Sequence, residues 1–360
     1  MDSAISCKQC GLPAATSGIR VSQAGRCSYC EFVDEIPIDL FDTDKHRRLF
    51  EDRINAIRGK YEYDAIVGIS GGKDGVYVLH RLVRDYGLRV LAATYDNEFL
   101  SDEVKAAVDR VIAIYNVDHY SYKPTHLRSL YRGILKAIGV PCYACAMAGY
   151  YIAINALLEK RIPLFVHGRS PFQMFRNLSA ESYKKDPFFT LVKSNLQEFN
   201  PSYLIDVYQT GYSNIEQLMA FLPLDPGEKE GILDEFFRPL TRVDLDFVPE
   251  GFAFFLIEPY DENRIRDRLM KESGYIAPPS HQDCVIHNAA NYLSASHFGV
   301  SVDVLEAAVM RRRGLMDRAV FEALLAQRQR ESQDPTEEIK RELKLMLDKL
   351  DMKADDLAKR

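Results

Sequence analysis

The stretch that most constrains this chain runs from residue 64 to residue 86. Residues 64–69 are a short apolar, β-branched run. Ser70-Gly71-Gly72-Lys73-Asp74-Gly75 is a glycine turn, and residues 75–86 have helical spacing. A strand that ends in a glycine turn and opens into a helix begins a βαβ unit, which commits the chain to a parallel sheet covered by helices. The alternation continues downstream. Residues 90–95, 119–123 and 163–167 read as strands, and residues 101–115, 127–138 and 146–160 as helices. The expected fold is therefore α/β, a doubly wound parallel sheet.

Flanking regions differ in texture. The first thirty residues carry two CxxC pairs among Gly, Pro and Ser with little apolar periodicity, so residues 1–40 are expected to be a small metal-organised, zinc-ribbon module. Residues 42–61 read as an amphipathic helix leading into the main domain, residues 41–180. A mostly helical C-terminal region follows over 181–330, with helices expected at 186–204 and 214–221 and a strand at 252–257. Two further helices are expected within 302–327, broken near Gly314. The tail, residues 331–360, alternates acidic and basic residues at helical spacing, as a solvated helix or a partner contact would.

With 360 residues, 47% of them hydrophobic, the chain can bury a sizeable core. A net charge of −6 gives no global positive field for nucleic acid, although Arg311, Arg312 and Arg313 form a local basic run. No basic, apolar leader opens the sequence and no run nears 18 apolar residues, so a cytoplasmic protein without a membrane span is expected.

The glycine turn is the first chemical feature. Glycines there let the backbone approach a phosphate, and the helix N-terminus supplies free N–H groups and positive potential. Ser70 can donate a hydroxyl hydrogen bond, and Lys73 can neutralise charge on a leaving group. Asp74 can help hold magnesium or cap the helix. Ligands of open α/β sheets bind beyond the carboxyl ends of the strands. Tyr95, Asp96 and Asn97, ending one strand, are thus candidates to meet adenine or ribose, and His167, Gly168 and Arg169, ending another, to approach the α-phosphate. Asp96 is equally a turn residue, and Arg169 equally a surface ion-pair partner.

Cysteines are the second feature. Cys7-Lys-Gln-Cys10 and Cys27-Ser-Tyr-Cys30, 16 residues apart, match the spacing of a closed zinc site of four thiolates, with a vacant or iron-bound site as alternatives. Pro141-Cys142-Tyr-Ala-Cys145 lies instead in the main domain, and Cys284 stands alone near His281 and His287. These three cysteines can hold a [4Fe-4S] cluster with one open iron, bind zinc with histidine help, act as redox thiols, or be structural.

SGGKD after a strand resembles the PP-loop of the ATP pyrophosphatases, commonly SGGxDS, within the HUP-like folds. That superfamily includes GMP synthetase, asparagine synthetase, tRNA thiolation enzymes and N-acetyl sugar amidotransferases. The resemblance implies cleavage of ATP between the α and β phosphates, with AMP and pyrophosphate as products. Gly75 departs from the family, which usually has Ser or Thr there. CKQC…CSYC followed by KYEYDAIVGISGGKDG and GLRVLAATYDN resembles the N-acetyl sugar amidotransferases over roughly the first half of the chain. The PCxxC pair with a distant cysteine resembles the iron-sulfur-dependent thiolation enzymes. Carried over, that second resemblance makes Cys142, Cys145 and Cys284 the sulfur-handling set beside the ATP residues Lys73 and Asp74. It implies a sulfurtransferase acting on a tRNA base, a nucleobase or a small metabolite, served by a sulfur donor. The first implies an amidotransferase fed with ammonia by a separate glutaminase subunit, since this chain shows no glutaminase triad. A non-catalytic ATP-binding protein is the third reading, and a homodimer is the default assembly.

Overall fold

A computed structural model describes residues 6–16, 19–35, 42–170, 173–174, 215–237, 247–277 and 284–358. Its centre is a five-stranded, all-parallel sheet in the order β3-β2-β1-β4-β5. The strands are β1 (Ala65–Gly68), β2 (Val90–Tyr95), β3 (Asp118–Tyr122), β4 (Leu164–His167) and β5 (Glu250–Ala253). β1 is central, flanked by β2 on one side and β4 on the other. The chain first winds outward through β2 and β3, then returns to the far side of β1. This reversal creates a crevice at the carboxyl ends of β1 and β4, where open parallel sheets bind ligands.

Helices cover both faces. In chain order they are α1 (Ser28–Glu35), α2 (Thr43–Ile57), α3 (Lys73–His80), α4 (Asp102–Tyr115), α5 (Leu127–Ala137) and α6 (Cys142–Glu159). After β4 come α7 (Pro226–Ile232), α8 (Glu262–Ser273), α9 (His287–Phe298), α10 (Val302–Arg312), α11 (Arg318–Gln333) and α12 (Glu337–Leu350). α3, α2 and α8 close one face, with Val76, Val78, Phe50 and Leu269 packed against Val67 and Ala92. α5, α6 and α9 close the other over Ile66, Leu91 and Phe165. No described helix is long and apolar enough to cross a membrane.

Several elements differ from the sequence expectation. α6 begins at Cys142 rather than residue 146, because Pro141 sits at its N-cap with φ −69, a value compatible with helix entry. The apolar run 252–257 is strand only through Ala253, and Phe254–Ile257 make a single helical turn. Residues 215–221 are helical, while 186–204 lie outside the described residues. α12 is not a solvated tail helix. Ile339, Met346 and Leu350 are buried, and Glu342 accepts hydrogen bonds from Asn288 Nδ2 (3.0 Å) and Ala289 N (2.9 Å) at the start of α9.

Nor is the N-terminal four-cysteine unit detached. Leu12, Ile19 and Tyr29 share a buried cluster with Leu256, Val304, Ala308 and Phe321. Part of the arginine run is absorbed into this contact. Arg311 lies over the Phe321 ring (5.3 Å) and Arg312 pairs with Asp34, while Arg313 is exposed. Two of the three cations are thus engaged within the protein.

Candidate active site at the sheet edge

The glycine loop leaves β1 through Ile69, whose N–H bonds Ala93 O (2.8 Å) and whose carbonyl accepts from Thr94 Oγ1 (2.9 Å). The loop is thereby tied to the end of β2. Gly71 has φ +71, and a Cβ there would stand 3.0 Å from that of Ala107. Gly72 is the N-cap of α3 and supplies no side-chain cap, so the first-turn amides of Lys73, Asp74 and Gly75 point at the crevice with no acceptor inside the helix. A Cβ on Gly75 would lie 2.8 Å from Gly68 O, and one on Gly168 would lie 2.9 Å from Asp74 O. The helix start is wedged between the ends of β1 and β4. This accounts for Gly75: a Ser or Thr side chain has no room here.

Lys73 Nζ sits 3.4 Å from Asp74 Oδ2 and 3.7 Å from Glu262 Oε2. Burial raises the pKa of Asp74, opposed by Lys73 and by the Tyr260 hydroxyl, and its Oδ1 is buried with no hydrogen-bond partner of ordinary length. A buried carboxylate oxygen left over beside anion-binding amides fits a divalent cation; Asp74 is the residue that would hold it. Tyr275 fixes the loop by donating to Gly71 O (2.6 Å). Tyr260, Glu262 and Tyr275 escaped the sequence reading, as they lie about 200 positions away with no motif of their own. Ser70 is exposed at the loop tip, and Arg169 is half-buried beyond Gly168. His167 is buried and its pKa is pushed down to about 3, by burial first and then by the Arg169 charge.

The end of β2 serves the cysteines. Tyr95 donates to Cys145 O (2.5 Å) and lies 2.8 Å from Cys145 Sγ, while Asn97 Nδ2 reaches the same sulfur at 3.6 Å. Asp96 accepts from Glu98 N (2.9 Å), a turn contact. The next residues bring in the third cysteine: Leu100 bridges Cys284, and Val285 N bonds Phe99 O (2.9 Å). Burial, then Cys145, Cys284 and Cys142, push the Tyr95 hydroxyl well above the ordinary tyrosine pKa. Only Cys145 touches the phenol, while Cys284, far away in sequence, and Cys142 act on it electrostatically, and the three cysteines are not a close ligand group among the described residues. Cys142 is exposed; Cys145 and Cys284 are half-buried. Between Asn97 and Phe99, Glu98 takes φ +71 and is held by Arg128 (2.8 Å) and Lys349. His287 pairs with Asn291 (3.0 Å), and His281 lies outside the described residues.

The N-terminal cysteines are arranged differently. Cys7, Cys10, Cys27 and Cys30 are all buried, with ligand atoms within 4.8 Å of one another. Sulfur separations of 3.8 Å (Cys7–Cys30) and 3.5 Å (Cys10–Cys27) compare with about 3.8 Å for the edge of a zinc tetrahedron built on 2.3 Å bonds. The set fits a single four-coordinate ion. Another close group, His80, Asp85 and Glu272, already holds a cation, since Arg268 bonds Asp85 (2.9 Å) and Glu272 (2.8 Å).

No protein-family model matches the sequence, and no curated protein matches it. Among solved structures, the chain is similar to the U34-tRNA thiolase NcsA from Methanococcus maripaludis with its [4Fe-4S] cluster. The TM-score is 0.35 and the identity 15%, over 90% of this chain and 88% of that one. It is also similar to an NH3-dependent NAD synthetase from Campylobacter jejuni in complex with the nitrate ion, at TM-score 0.30 and 12% identity, over 58% of this chain and 98% of the other. Likeness at these scores carries no functional inference.

Proposed function

We propose that the protein is an ATP pyrophosphatase of the PP-loop type, which adenylylates a carbonyl oxygen of its acceptor and replaces it with sulfur, releasing AMP and pyrophosphate. The observation that carries this reading is the meeting of two sites on one sheet edge. The glycine loop and the Cys142, Cys145 and Cys284 centre are joined through Ile69, Ala93, Thr94 and Tyr95 on adjacent strands.

In this reading the amides of α3 and Lys73 bind the β and γ phosphates, which depart together as pyrophosphate when the acceptor oxygen attacks the α-phosphorus. Asp74 holds the magnesium that accompanies ATP. His167, kept neutral by burial, leaves the α-phosphate side of the crevice free of an added proton. Adenylylation turns the acceptor oxygen into a leaving group, and AMP departs when a sulfur nucleophile adds at the same carbon. The three cysteines are the soft ligands that would hold an iron-sulfur cluster, which supplies a coordination position for that sulfur when bound. The acceptor is a tRNA base, a nucleobase or a small metabolite. The N-terminal cysteines hold zinc and act structurally.

Ammonia transfer to an N-acetyl sugar is a second reading, favoured by the four-cysteine module that precedes this particular loop. It uses the same adenylylated intermediate and a separate glutaminase, and gives Cys142, Cys145 and Cys284 no part in chemistry.

Anaerobic purification with iron, sulfide and zinc analysis, on wild type and on Cys142→Ala, separates the two. Sulfur transfer requires about one zinc plus a cluster that the substitution removes. Zinc alone, unchanged by the substitution, would discard the cluster and turn the search to ammonia and sugar acceptors. Failure to release pyrophosphate from ATP with any acceptor class would leave only a non-catalytic ATP-binding role.

A further inference from the structure

Lys73 is already engaged. Its ammonium lies between the carboxylates of Asp74 (3.4 Å) and Glu262 (3.7 Å), and the lysine side chain is only 11% exposed. Two acidic groups around one basic group leave the mouth of the loop negative, an unusual setting for a group meant to receive a polyphosphate. Asp74 is accounted for by the divalent cation that its buried Oδ1 fits. Glu262 is not. It is the first residue of α8, follows the N-cap Asp261, and has a second cationic partner, Arg266 Nε at 2.9 Å. Its carboxylate is therefore poised between Lys73 across the crevice and Arg266 on its own helix. The backbone around it is fixed, because Tyr275 anchors the far end of α8 to Gly71 O.

Resting on the phosphate-loop reading above, we propose that Glu262 makes the loop selective for metal-complexed over metal-free pyrophosphate groups. Without a divalent cation, an entering pyrophosphate must displace Glu262 from Lys73 and bear its repulsion together with that of Asp74. When a cation accompanies the phosphates, it neutralises Asp74 and part of the ligand charge, and Glu262 gives up Lys73 while keeping the bond it already makes to Arg266 (2.9 Å). Selectivity arises from charge alone, since like charges a few ångströms apart in a half-exposed site repel strongly enough to shift affinity on the order of tenfold.

The test is titration calorimetry of the full chain with inorganic pyrophosphate, with and without magnesium. Glu262→Gln keeps the shape and the helix-compatible side chain at a half-exposed position. It should tighten metal-free pyrophosphate binding on the order of tenfold and change binding with magnesium less than about threefold. Arg266→Met removes the alternative partner and should move the other way, weakening binding with magnesium severalfold. Three results would overturn the proposal: unchanged metal-free binding in Glu262→Gln, equal tightening with and without magnesium, or loss of binding with magnesium, which would make Glu262 a metal ligand. If wild type binds no pyrophosphate even with magnesium, the phosphate-loop reading itself falls, and this inference with it.

Discussion

The chain carries two cysteine centres built to opposite plans. The N-terminal four are buried to within 1% and close enough for one ion to touch all of them. Such a set suits one cation bound by four thiolates, and a site closed in that way would offer no open position to a substrate. At the sheet edge the three cysteines grade from exposed Cys142 to half-buried Cys145 and Cys284; Cys145 meets the Tyr95 hydroxyl, and the three form no close ligand group among the described residues. One plan serves cohesion and the other access. Burial, more than spacing, distinguishes them, since both begin with a CxxC.

The strongest attempt to break that comparison is Cys10→Ala. If the N-terminal set is cohesive, the variant should lose its zinc and about 4 kcal/mol or more of stability, read by denaturant unfolding, with the α10–α11 contact loosened as well. Cys142→Ala should cost less than about 0.5 kcal/mol while abolishing product formation. Equal stability losses at the two sites would erase the distinction.

A sharper test of the sheet edge uses His167. Its folded pKa of about 3 lies below the ordinary 6.5, so the unfolded chain takes up a proton that the folded chain refuses. Stability is therefore intact above pH 6.5 and falls as the pH drops toward 3. The slope from this group alone is up to about 1.4 kcal/mol per pH unit, and His167→Gln should flatten it in unfolding measured between pH 7 and 5. Gly75→Ser adds a hydroxyl at the helix start but places Cβ 2.8 Å from Gly68 O. It should destabilise by about 1–3 kcal/mol and weaken ATP binding, measured by calorimetry, rather than improve it. Tyr95→Phe is expected to cost about 1 kcal/mol. That variant should also change the rate of Cys145 alkylation, followed by peptide mass spectrometry, while leaving the four N-terminal cysteines unreactive.

Local chemistry was legible and long-range closure was not. Residues 90–95 read as a strand because the run is apolar, β-branched and bounded by turn residues, and β2 occupies the same span. The break at Gly314 stood out because glycine punctuates a helical pattern, and α10 and α11 lie on either side of it. The run 252–257 was misread because a short, uniformly apolar stretch has no period to separate strand from helix. In α12, Ile339, Met346 and Leu350 lie at helical spacing, yet their stripe was masked by the surrounding charge. At the site, Gly71, Gly72, Lys73 and Asp74 announce themselves as one motif. Nothing local reveals that Tyr260, Glu262 and Tyr275 fold back over them, or that Asn97 and Tyr95 meet Cys145. Those contacts depend on which strands become neighbours.

The way the four-cysteine module packs also bears on how the protein is made. Its apolar side is completed by Val304, Ala308 and Phe321, about 300 residues downstream. A ribosome releases the module early and its cover late. While the residues between them are being made the nascent chain carries a bare greasy patch, a natural target for holding chaperones, and the module reaches its final surroundings long after it is synthesised.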